Sequence, residues 1–153
     1  YEAEDGRPVL RRVKYVMLPV FWDEEAADES GWAMDTAQLD GVMLRNRQEY
    51  LDMSWGKMTV EHAILQQQAF GVSKETPSWD DTSAAAKRLL NVDLGFEQGV
   101  DYDAVGLVYH LANDGPFSGG GGWGCLNCDF LWMSYQLDFS VTRHEIGHNF
   151  GHP

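Results

Sequence analysis

The fold class turns first on RRVKYVMLPVFW, residues 11–22. It is β-branched and aromatic and has no apolar stripe at helical spacing, so it reads as a buried strand. An acidic segment, DEEAADESG (23–31), follows and reads as a loop. From Asp35, which suits an N-cap, TAQLDGVMLRNRQEYLDMS places Leu39, Val42, Met43, Leu44, Tyr50 and Leu51 at roughly helical spacing. That predicts a long helix ending near Ser54. GKMTVEHAILQQQAF (56–70) reads as a strand after a glycine turn, with its second half open to helix. After a loop broken at Pro77, TSAAAKRLLNVDLGF (82–96) is rich in Ala and Leu, follows capping aspartates, and predicts a second helix. YDAVGLVYHLA (102–112) reads as a strand, NDGPFSGGGGWG (113–124) as a long loop, CLNCDFLWMSYQ (125–136) as extended and FSVTRHEIGHNFG (139–151) as a helix. Strands alternating with helices in this order imply an α/β sandwich, with helices packed on a mixed sheet.

At 153 residues the chain has the length of one domain with a full hydrophobic core. A net charge of −13 with no basic stripe argues against a nucleic-acid partner, because phosphate binding needs clustered Lys and Arg. No apolar run approaches the roughly 18–20 residues of a membrane span. The chain starts at Tyr1 with neither an initiating Met nor a signal peptide, which implies an N-terminus that is processed or incompletely represented.

The chemistry is concentrated in VTRHEIGHNFGHP, residues 141–153. On a helix, residues four apart share a face, so His144 and His148 can aim both imidazoles at one zinc ion. Glu145 is rotated by about 100° from His144 and need not be a ligand. It can lie beside a zinc-bound water, whose pKa falls towards about 7, and take its proton. Gly151 lets the helix end in a left-handed turn and brings the chain round. A solvated helix-surface His pair is the competing reading of the same four-residue spacing.

A second arrangement uses the same histidines. Cys125, Cys128, His144 and His148 follow C-x2-C, 15 residues, H-x3-H, at the outer limit of a structural zinc finger. A finger stands alone as a hairpin and helix, whereas this one would follow a long α/β pattern. The CLNC pair can also bond to itself, bind metal or stay free. A redox CxxC opens a helix after a strand; this pair follows four glycines and precedes an aromatic stretch, which fits a local disulfide or two strand thiols better. His62 and His110 read as ordinary strand residues.

HEIGHNFG resembles the metzincin zinc peptidases, whose motif is HExxHxxGxxH, and is most similar to their gametolysin family. YLDMSWGKMTV (50–60), GVDYDAVGLVYHL (99–111) and GGGGWGCLN (119–127) resemble, more weakly, other segments of the same catalytic domain. The resemblance implies a metzincin-like sandwich, a mixed twisted sheet packed with two long helices plus an active-site helix. Residues 1–153 would form one unit, the N-terminal subdomain of a catalytic domain whose C-terminal subdomain is absent from the chain. It implies Zn2+ held by His144 and His148, Glu145 as general base, and an edge strand at Trp123, Gly124, Cys125 and Leu126 that pairs with a peptide or protein substrate. It also implies secretion. The family's third histidine would fall at position 154, just past Pro153, and its methionine-containing turn further on. His152 comes two residues early, about 80° from His144 on a continuing helix, and is a minor ligand candidate. The alternative is an inactive, peptidase-derived structural or binding module with partner subunits in a larger assembly.

Overall fold

The computed structural model describes residues 11–26 and 33–152; residues 1–10, residues 27–32 (the second half of the acidic segment among them) and Pro153 lie outside that range. Strand β1 (Arg11–Phe21) lies inside the sheet, flanked by β2 (Met58–Ile64) on one side and β4 (Ala104–Tyr109) on the other, both parallel to it. A short β3 (Gln68–Ala69) continues the β2 edge, pairing with β1 at Val20 and Phe21. Beyond β4 come the parallel β6 (Phe130–Ser134) and the antiparallel β5 (Gly122–Gly124), giving the order β2-β1-β4-β6-β5. The sheet is mixed and the fold α/β, as the element order implied.

The apolar runs are continuous because the central strands are covered on both faces. Successive side chains of a strand point to opposite faces, and the core divides accordingly. Val16, Leu18 and Val20 of β1 join Val105 and Leu107 of β4 and Trp132 of β6 on one face. That face packs under α3 (Trp79–Arg88) and the π-helical turn Leu89–Asp93 that continues it. Tyr15 and Met17 join Val108, Leu131 and Met133 on the other face. There they meet Leu39, Met43 and Tyr50 of α2 (Thr36–Met53) and Ile146 of α4 (Phe139–Asn149).

Several boundaries differ from the sequence expectation, each for a local reason. The acidic segment after β1 is not all loop: Asp23–Ala26 forms the single turn α1, whose Glu25 side chain turns inwards to the Trp22 N–H, 3.3 Å away. The stretch 56–70 contains no helix; it breaks at residues 65–67 and resumes as β3. Helix α3 starts at Trp79, three residues earlier than expected, because Ser78 accepts from the Asp81 N–H at 3.1 Å. Asp80 and Asp81 then sit in the first turn, where the helix dipole favours acidic groups. The segment 113–124, expected as loop, contains a 3-10 turn at Gly115–Phe117 and then β5. Of the expected extended segment 125–136, only Phe130–Ser134 is strand.

Among the described residues, no helix is long and apolar enough to cross a membrane.

Leu131 sits fully buried between β4 and the α2–α4 layer, while Leu44 is 48% exposed. Leu131→Ala is expected to cost about 2–5 kcal/mol in urea unfolding, and Leu44→Ala about 0.5 kcal/mol or less. Equal losses at the two positions would contradict this division of core and surface.

Candidate metal centre

Helix α4 is fixed at both ends by its own sequence. At the start, the Asp138 carboxylate accepts from the backbone N–H of Ser140 (2.7 Å) and of Val141 (3.1 Å), and from the Ser140 hydroxyl. The Ser140 hydroxyl and these two amides hold the Asp138 carboxyl below its usual range. At the end, Gly151 adopts a left-handed φ of 88°. Its N–H reaches the His148 carbonyl (2.9 Å) and the His152 N–H reaches the Gly147 carbonyl (3.0 Å). This is a Schellman termination at the glycine the sequence marked for it.

Between these caps His144, Glu145 and His148 converge, with their ligand atoms all within 4.8 Å of one another. The two Nε2 atoms are 3.0 Å apart, and Glu145 Oε2 lies 4.0 Å from His148 Nε2. His148 Nδ1 lies 2.8 Å from the His152 carbonyl oxygen. A carbonyl can only accept, so Nδ1 carries the proton of the neutral ring and Nε2 presents its lone pair to the centre. Two imidazoles beside a carboxylate are a donor set that suits zinc, and both rings can reach one ion. The residues present therefore fit the metal that the motif implies.

His152 is exposed and stands outside this group; it contributes its main-chain carbonyl. An open cavity of about 380 Å3 adjoins His144, lined by Tyr50, Met53, Arg143, Gly147 and His152 as well.

Glu145 is 8% exposed and lies directly beneath β5. A Cβ on Gly122 would stand 3.0 Å from Glu145 Cγ, and one on Gly124 would run into the Glu145 backbone, 3.0 Å from its carbonyl carbon. The two glycines let the strand rest on the helix at that residue. Trp123, between them, turns to the opposite face and packs edge-on to Trp79 with ring centroids 5.6 Å apart, while remaining 55% exposed. Among the described residues β5 is the sheet edge beside the histidines. The strand ends at Gly124; Cys125 and the exposed Leu126 belong to the turn that follows, so half of the expected edge segment is not strand.

That turn excludes the finger arrangement. Cys125 and Cys128 are joined in a disulfide, so neither sulfur is a thiolate available to a metal. His62 pairs with Asp40 (2.6 Å) and His110 with Glu25 (2.7 Å), both away from the centre.

Sequence reasoning missed the residues that hold α4 in place. Asn149, 6% exposed, accepts from the Tyr15 hydroxyl (2.6 Å) and donates to the carbonyls of Cys125 (3.1 Å) and Phe130 (2.9 Å). It thereby ties the last turn of the helix to β1, to the disulfide turn and to β6. Tyr50 of α2 donates to the Arg143 carbonyl (2.8 Å). Burial pushes the Tyr50 phenol up to about 12 and, with Tyr50 nearby, raises that of Tyr15 further, so both stay protonated donors at neutral pH. The available signal was a polar Asn149 on the helix face that also carries the buried Ile146.

No family model matches the chain, and no curated protein matches it. Among solved structures it is similar to the crystal structure of archaemetzincin from Methanopyrus kandleri, at 17% identity and a TM-score of 0.43, over 92% of this chain and 74% of that one. A likeness of that degree carries no functional argument, which rests on the site itself.

Asn149→Ala would strand a buried phenol and two carbonyls. It is expected to lower stability by about 2–4 kcal/mol in urea unfolding; a loss below about 0.5 kcal/mol would contradict the role given to Asn149. The Asp138 cap sets a pH dependence. Its folded pKa lies below its unfolded value, so its contribution is complete above about pH 4 and is lost as pH falls through the folded value. The Tm advantage of the natural chain over Asp138→Ala is expected to be constant from pH 5 to 7 and to shrink below about pH 4. A gap that widened in acid would contradict it.

Proposed function

We propose that this chain is the zinc-bearing part of a metalloendopeptidase of metzincin type, similar to the gametolysin family, with His144 and His148 as zinc ligands and Glu145 as general base. The observation that carries the reading is the convergence of these three side chains within 4.8 Å, with Glu145 seated under the edge strand β5. Zinc, when bound, supplies a Lewis acid for a carbonyl and a water acidified to near neutrality.

The rest is the work of the chain's own residues. A substrate peptide in extended form pairs with β5 along Trp123 and Gly124, its main-chain groups met by those of the strand. Its scissile carbonyl then lies above Glu145. The Glu145 carboxylate takes a proton from the attacking water and returns it to the leaving amine nitrogen. Because β5 packs on the Glu145 backbone, the strand that holds the substrate and the base that serves it are fixed to each other. The Cys125–Cys128 disulfide suits an oxidising compartment, which supports a secreted protein.

A second reading is a peptidase-derived binding module within a larger assembly.

Zinc content by atomic emission and cleavage of a fluorogenic peptide library separate the two readings. Under the peptidase reading the zinc-loaded chain cleaves, and Glu145→Ala lowers turnover by about 10²–10⁴-fold while retaining zinc. Turnover unchanged in Glu145→Ala would overturn the role of Glu145. Stoichiometric zinc without cleavage would favour the module.

A further inference from the structure

We propose that the redox state of the Cys125–Cys128 bridge controls metal binding at His144 and His148, the centre keeping its binding geometry only while the bridge is closed. This rests on the zinc reading above and adds a regulatory element to it. The bridge closes a turn whose two ends are held 5.5 Å apart at Cα, and the turn is joined to the last turn of α4 at three points. The Asn127 N–H donates to the carbonyl of His148 (2.9 Å), the residue whose ring is a proposed ligand. Asn149 donates to the Cys125 carbonyl at 3.1 Å. The Asn127 side chain also lies close against Gly151, where an added Cβ would stand 2.5 Å from its Oδ1.

Asn127 makes its contact from a left-handed backbone, with φ of 55°. A non-glycine residue holds that conformation at a cost and keeps it where its surroundings impose it. The closed bridge is the covalent part of those surroundings. Beyond His148 the chain of contacts reaches the ring itself, because the His152 carbonyl that orients Nδ1 depends on the same helix termination. Both cysteines are half-buried, within reach of a small reductant.

A phosphine is the reductant that opens the bridge. The phosphorus attacks one sulfur, the S–S bond breaks, and water supplies the oxygen of the phosphine oxide and the protons of two thiols. The disulfide gains two electrons and the phosphine loses them. Once open, the turn releases Asn127, the His148 carbonyl keeps only the Gly151 N–H of its two donors, and the final turn of α4 loosens.

The test compares the oxidised chain, the chain reduced with a phosphine and capped with iodoacetamide, and the Cys125→Ala/Cys128→Ala chain, the last two being unable to bind zinc through thiolates. Zinc affinity is read by competition with a chromophoric chelator, and amide hydrogen exchange is followed at Asn127, Gly151 and His152. Both bridge-free forms are expected to bind zinc about 10–100-fold more weakly, as loss of a supporting contact to a ligand does. They are also expected to exchange those three amides at least about 10-fold faster while the β1 and β4 amides stay protected. Equal zinc affinity in all three forms overturns the proposal, as does unchanged exchange. If a bridge-free form also loses β1 and β4 protection, the bridge acts on the whole fold and the proposal fails. Zinc held no more tightly by the oxidised chain than by His144→Ala/His148→Ala overturns the metal reading beneath it, while the exchange comparison still decides whether the bridge clamps the helix.

Discussion

The position of α4 depends on the side chain of Asn149. A helix that ends at a surface leaves carbonyls and amides to be satisfied, and one that carries metal ligands must also be held in rotation and depth. Asn149 does the second from inside the protein: its oxygen accepts from the Tyr15 hydroxyl on β1 and its nitrogen donates to the carbonyls of Cys125 and Phe130. A carboxamide is suited to this because it accepts and donates in one plane. Strand β1 and the Cys125–Phe130 segment, more than a hundred residues apart in sequence, are thereby joined at the residue next to His148. The donor group His144, Glu145 and His148 inherits its placement from that junction and from the Tyr50 bond to the Arg143 carbonyl, nearer the start of the helix.

The second constraint is the approach of β5 to the same helix. An edge strand cannot rest on a helix backbone if side chains intervene, and at Gly122 and Gly124 none do. Trp123 is turned away into an aromatic group with Trp79, which in turn contacts Trp132 and Phe117. The alternation small-large-small thus serves both faces of the strand at once: contact with Glu145 on one side and aromatic packing on the other.

Much of this was legible in the residues. The β1 run, the α2 stripe from Leu39 to Tyr50 and the α/β order are periodicity signals, and those elements formed close to the expected bounds. The HExxH spacing and Gly151 are local features, and the helix and its left-handed end follow from them. The remainder was not legible because it depends on long-range contacts. β5 is three residues long and is a strand because β6 pairs with it, so its sequence reads as glycine-rich loop. The start of α3 turned on whether Ser78 or the aspartates after it would cap, which propensity alone does not rank. Asn149 shares a helix face with Ile146, but its partner Tyr15 lies 134 positions away and is brought to it only by the fold. The finger spacing of Cys125, Cys128, His144 and His148 shows the converse: a spacing rule can be met by residues that the fold commits to a disulfide and to a separate cluster.

Under the proposed reading, zinc binds through the two imidazoles of α4 and without the cysteines. X-ray absorption at the zinc edge of the loaded chain tests it most directly. The expected spectrum has a shell of nitrogen and oxygen neighbours at about 2.0–2.1 Å with imidazole scattering beyond it. A sulfur shell near about 2.3 Å, or a spectrum without imidazole scattering, would contradict it.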